Sequence, residues 1–144
     1  MIYIGRDDEH LQLEAMEWVP AHLPVPGDVR VQVTLRLQDF CGSYSGVWLS
    51  KPELERFLKE LELLEDTRKA TARLDAMSPN EFSLELRPYD SLGHFEASVL
   101  LGRHQFSGPS YWPTTLCGGF EVDPTDLPSI LSGFRALLVP RATS

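Results

Sequence analysis

His94-Phe95-Glu96 has the H-x-E form in which a histidine binds zinc and a glutamate moves protons. That chemistry also needs a downstream P-C-x-x-C to complete the metal site. Here Cys117 is followed by Gly118, Gly119 and Phe120, with no second thiol, so no metal is assigned. The stretch Gly42-Ser43-Tyr44-Ser45-Gly46 suggests a nucleophile elbow, but its glycines bracket Tyr44 rather than a serine. A Cys–His nucleophile pair could be assembled from Cys41 or Cys117 with His94 or His104, because such partners need only meet in space. Nothing in the spacing selects a pair, and buried thiols with surface imidazoles are the expectation. Asp7-Asp8-Glu9-His10 offers oxygen ligands to a hard cation but lacks the spaced ligands and glycine of an EF-hand loop, and reads as a solvated turn. No glycine-rich phosphate loop and no basic stripe interleaved with aromatics occurs, so nucleotide and nucleic-acid binding find no support. The residues describe a protein that is not an enzyme, with no catalytic residue, metal or cofactor assigned.

Arg103 to Thr115 offers something other than catalysis. It holds Pro109, Pro113 and three large aromatics, Phe106, Tyr111 and Trp112, and is the least regular part of the chain. Aromatics on an irregular segment are the usual anchors of a protein interface. The alternative is that the rings fold back and plug one end of the core. Phe106, Tyr111 and Trp112 are therefore the candidate partner-binding residues.

The elements that must position such a surface are legible in the apolar spacing. Val29, Val31, Val33, Leu35 and Leu37 alternate with Arg30, Gln32, Thr34, Arg36 and Gln38, the period of a strand with one face on a core. Phe40 to Gly46 permits a turn or bulge, and Val47-Trp48-Leu49 reads as the returning strand. Ser50, Pro52 and Glu53 then spell a capping box, in which the serine hydroxyl takes the Glu53 amide and the carboxylate reaches back to Ser50. Leu54, Phe57, Leu58, Leu61 and Leu64 follow at helical spacing and should cover the sheet.

Before this unit, Met1 to Ile4 suggests an edge strand. A second strand follows whose phase slips near Ala15, where a β-bulge would turn Met16 and Trp18 inward. Val19 to Asp28, with three prolines, is a connection. After it, short strands are expected around 71–77, 82–87, 95–101 and 116–122. Asp123 and Pro124 open a second helix with Leu127, Ile130, Leu131, Phe134 and Leu138 on its apolar face. The expected fold class is α+β: mainly antiparallel sheet of about seven to nine strands, strongly curved, packed by two helices at about 50–65 and 124–138, in a single domain of residues 1–144.

Composition agrees with a domain able to bury a core, at 42% hydrophobic residues. The chain carries 21 acidic against 13 basic side chains, a net charge of −8. A field of that sign disfavours nucleic acid and anionic membranes, and favours solubility or a basic protein partner. No apolar run approaches the ~20 residues a membrane helix needs, and no signal peptide opens the chain, so the cytoplasm is the expected compartment.

Several short motifs also carry a family resemblance. They are Phe40-Cys41-Gly42, Val47-Trp48-Leu49 running into the Phe57-Leu58 helix, Asn80-Glu81-Phe82 before a strand, Gly93-His94-Phe95 opening the next, and Gly119-Phe120-Glu121 before the last helix. Together, over Leu11 to Leu138, they resemble the WapI-type bacterial immunity proteins and their uncharacterised relatives. The resemblance implies a non-enzymatic protein that neutralises a secreted toxin by binding it inside the producing cell, through a surface that varies among members. It transfers no motif of functional residues. An acidic surface covering a basic toxin domain would fit it. Two other readings stay open: a small-molecule pocket between sheet and helices, and a structural homodimer paired through an edge strand or the aromatic segment.

Overall fold

Alternation builds the first sheet. The computed structural model describes residues 1–141, apart from the side chains of Phe106 and Ser107. Strands β1 (Ile2–Arg6), β2 (Glu9–Trp18), β3 (Val29–Leu37) and β4 (Phe40–Leu49) pair antiparallel in chain order. Val29, Val31, Val33 and Leu35 are buried, while Arg30 donates to Glu17 and Thr34 meets Ser43 on the outer face. The β3–β4 reversal is tighter than its glycines suggest: Leu37 pairs with Phe40, and Gln38 takes the left-handed φ of 58°. Phe40 to Gly46 is therefore strand, with a bulge where the register slips between Tyr44 and Val47. A second bulge lies between Ala15 and Glu17; it turns Trp18 half inward but leaves Met16 exposed. Trp18 then ties the sheet to the C-terminal helix, its Nε1–H donating to the Leu137 carbonyl at 2.9 Å.

Helix α1 (Lys51–Thr67) begins where its caps specify. Ser50 Oγ accepts the Glu53 amide at 3.3 Å, and the buried Asp28 accepts the Lys51 amide at 2.9 Å, so two of the helix's orphan donors are satisfied. Leu54, Phe57, Leu58, Leu61 and Leu64 are all buried. The Glu53 carboxylate is turned to a different task from the one its spacing suggests.

That task belongs to the second sheet, formed by β5 (Ala72–Asp75), β6 (Phe82–Pro88), β7 (Phe95–Ser107) and β8 (Ser110–Val122), again antiparallel in chain order. Strand β5 is an edge, and an open edge invites pairing with another chain. Here α1 closes it. Glu60 accepts the Arg73 amide at 3.1 Å and Glu53 accepts the Asp75 amide at 3.4 Å. Arg56 pairs with both carboxylates and donates to the Arg73 carbonyl at 2.8 Å. The helix thus supplies β5 with the acceptors and donor that a neighbouring strand would have supplied.

The core-facing sides of the two sheets meet. A Cβ on Gly118 would lie 2.7 Å from Leu37 Cδ1, and one on Gly5 2.8 Å from Phe120. A 3-10 turn at Pro124–Asp126, capped by Asp123 at 2.9 Å from the Thr125 amide, leads into α2 (Leu127–Leu137). Leu127, Ile130, Leu131, Phe134 and Leu137 form its buried side, with Leu138 only half-buried because the helix has ended. Phe134 meets Phe57 of α1 edge to face, with centroids 4.9 Å apart. The buried side chains of both sheets and both helices make one cluster. The α+β class holds: the described residues form eight antiparallel strands in two sheets, and two helices close to the expected positions. Among the described residues no helix is long and apolar enough to cross a membrane.

Candidate protein interface

Strand β6 pairs with β7 only as far as Leu101, whereas β7 and β8 stay in register to Ser107 and Ser110. The stretches 102–107 and 110–115 therefore project past the sheet as a two-stranded arm. This corrects the reading of Arg103–Thr115 as irregular. Pro109 sits in the turn, and Pro113 sits on an edge strand, where its missing N–H can face away from β7 without breaking the ladder. Gly108, at φ 59°, supplies the positive angle that a two-residue hairpin turn needs at its first position.

The root of the arm is braced on the β5–β6 turn. The Gly102 amide donates to the Glu81 carbonyl at 2.9 Å, and a Cβ on Gly102 would lie 2.2 Å from the Asn80 carbonyl oxygen. His104 adds a second brace. Its Nε2–H donates to the Pro79 carbonyl at 3.1 Å, which places Nδ1 to accept from the Tyr111 hydroxyl; the two rings stack at 5.7 Å.

Because side chains alternate along a strand, Tyr111 and Trp112 leave the arm on opposite faces. Trp112 continues the row of Phe120, Gly118, Leu116 and Thr114, the core-facing row, beyond the end of the core. Across from this row lies a cleft of about 360 Å³, walled by Phe40, Gly42 and Tyr44 of β4 and by Leu101, Arg103, Thr114 and Leu116 of the arm and its root. Phe40 is 70% exposed, Trp112 61% and Tyr111 46%. Neither Tyr111 nor Trp112 folds back to plug the core. Phe106 is the register partner of Tyr111, and its side chain lies outside the described residues. Phe40 is the residue that sequence reasoning missed. Its signal was faint: it shares the core-facing parity of Gly42 and Tyr44, yet the core stops short of it. Phe40 and the apolar wall of the cleft beside it are exposed apolar surface, the kind that marks interaction sites.

The chemical candidates are dispersed. His94 precedes β7, where Nδ1 lies 2.6 Å from Asp90 Oδ2 and the ring stacks on Tyr89, while Glu96 accepts from Arg87 at 2.6 Å. Cys41 and Cys117 are both exposed, contrary to the expected burial, because each sits on the outward parity of its strand. Asp8 pairs with Arg36 at 3.6 Å, and His10 Nδ1 lies 2.6 Å from the Asp7 carbonyl, so that stretch is a turn. Among the described residues no group of three histidine, cysteine, aspartate or glutamate side chains is placed to hold a metal ion.

The His94 loop carries a pH dependence. The hydrogen bond to Asp90, reinforced by its charge, holds the His94 pKa above the 6.5 of a free imidazole. Folding therefore favours the protonated ring: its contribution is complete below about pH 6.5 and vanishes as pH climbs through the raised value. The Leu92 and His94 amides both donate to Asp90 Oδ1. Their hydrogen-exchange protection should fall across that rise, and His94→Gln should abolish the step. A step unchanged in the variant would assign it to another group.

A family model described as the immunity protein WapI-like family matches residues 1–140. No curated protein and no solved structure matches the chain.

Proposed function

The chain belongs to the WapI-like immunity protein family, and from that premise we propose that it is a cytoplasmic binding protein that neutralises a cognate toxin by covering it. Its contact surface is the end of the molecule where Phe40 faces the arm carrying Phe106, Tyr111 and Trp112. Neutralisation by direct binding asks for a rigid, exposed surface rather than a reaction centre. The single observation that carries this reading is the pair of exposed aromatics, Phe40 and Trp112, on core-facing parity beyond the end of the core. Large rings held on strands lose little freedom on binding and are the common hot spots of interfaces. The net charge of −8 favours a basic toxin domain, since opposed potentials speed encounter. Edge-to-edge pairing of two copies is disfavoured in the second sheet: α1 closes β5, and β8 carries Pro113.

The test mixes the purified chain with the toxin domain encoded beside it. A 1:1 complex is expected, with an association rate that falls as salt rises. Phe40→Ala and Trp112→Ala should each weaken it by about 2 kcal/mol, roughly thirtyfold, without lowering the melting temperature. Absence of a complex rejects the reading. Full affinity in both variants places the contact surface elsewhere.

A further inference from the structure

We infer that the cleft between β4 and the arm takes a segment of the partner that presents an apolar side chain next to a carboxylate, with the carboxylate pairing with Arg103. The inference rests on the reading of this end of the molecule as the contact surface. It does not need the partner to be a toxin.

Of the other arginines, Arg141 alone has neither an ion pair nor a ring contact among the described residues, and it lies beside Trp18 and α2, away from the cleft. Arg6, Arg30, Arg36, Arg56, Arg73, Arg87 and Arg135 all sit in ion pairs, and Arg68 lies over the Phe95 ring. Arg103 makes a hydrogen bond of 3.0 Å to Gln105 Oε1 and, among the described residues, has no carboxylate within ion-pair distance. In a chain with 21 acidic side chains, that is a local reversal of the overall balance.

The reversal coincides with the cleft. Arg103 lines it, and no aspartate or glutamate does; the rest of the lining is Phe40, Tyr44, Leu101 and Leu116 with small and hydroxyl-bearing residues. The cleft is thus greasy along its walls and positive at one point. An arginine carries five N–H donors in a fork that fits a carboxylate with two parallel bonds, and the neutral Gln105 oxygen engages only one nitrogen. A carboxylate next to a buried apolar anchor satisfies both features, while a second cation in that position meets repulsion. Within a partner that is basic overall, such a carboxylate would fix the register of docking, because a misplaced partner sets lysine or arginine against Arg103.

A random peptide library selected on the immobilised chain tests this without any toxin. The expected consensus is a large apolar residue beside aspartate or glutamate. The best synthetic peptide should bind Arg103→Glu about tenfold more weakly or worse, with Arg103→Gln in between. Arg135→Glu, an equal change in net charge on the α2 surface, should stay within about twofold. A consensus lacking an acid, undiminished binding by Arg103→Glu, or an equal loss in Arg135→Glu overturns the inference. Acidic peptides that bind through Arg103 while the toxin domain does not bind leave this inference standing and remove the toxin reading; a toxin complex indifferent to Arg103→Glu does the reverse.

Discussion

Phe57→Ala is expected to lower stability by about 3–5 kcal/mol, and the melting temperature by roughly 10–15 °C for a chain of this length. Phe57 is fully buried, and its ring meets Phe134 edge to face, so it joins α1 to α2 as well as to the sheets. Truncation removes the transfer energy of the ring and leaves a cavity that elements pinned on several sides cannot collapse to fill. Phe57→Leu should cost about 1–1.5 kcal/mol, because volume is largely kept. The loss should extend to the second sheet, since Glu53, Arg56 and Glu60 of the same helix close the β5 edge. Denaturant titration gives the energy, and hydrogen exchange at Arg73 and Asp75 reports the edge. A loss below about 1 kcal/mol in Phe57→Ala would show that α1 is not seated as described.

Gly102→Val should rank next, at about 3 kcal/mol, and it should also damage binding. The atom a Cβ would strike is the Asn80 carbonyl oxygen, at 2.2 Å, and that oxygen belongs to backbone rather than to a side chain able to swing aside. Asn80 is already in the left-handed region, at φ 64°, so the turn has little slack. Relief requires the turn and the arm to separate, which breaks the Gly102–Glu81 hydrogen bond and withdraws the Pro79 carbonyl from His104. The arm would then lose its brace, and the cleft between it and β4 its shape. Gly93 provides the contrast: nothing lies within 4 Å of its Cβ position, so Gly93→Ala meets only the strain of a φ near 89°, about 1 kcal/mol. Equal effects at the two glycines would show that contact with Asn80 does not hold the arm.

The two variants fall on either side of what could be read in advance. The place of Phe57 was legible because a helix repeats every 3.6 residues, and Leu54, Phe57, Leu58, Leu61 and Leu64 share one stripe whatever they pack against. The same holds for β3 at period two and for Ser50 and Asp123 as caps, all local consequences of backbone geometry. Gly102 carried no such signal. Its need for a bare Cα comes from Asn80, a residue on a different turn.

The arm was hidden for a related reason. Prolines argue against strands in general, yet Pro109 occupies a turn and Pro113 an edge, positions defined only once the neighbours of β8 are known. Glu53 likewise had the spacing of a capping box, and β5, brought alongside α1, took its carboxylate instead. Phe40 and Trp112 have core-facing parity, and only the distance over which the two sheets overlap leaves them in solvent. Apart from the arm and the start of β4, the amino-acid order alone therefore determined which residues form helices and strands and which faces of them are apolar, since those depend on near neighbours along the chain. Tertiary structure decided where the apolar faces run out of partners, and so which aromatics are left in solvent and which arginine lines the cleft, because that depends on how far elements distant in the chain extend over one another.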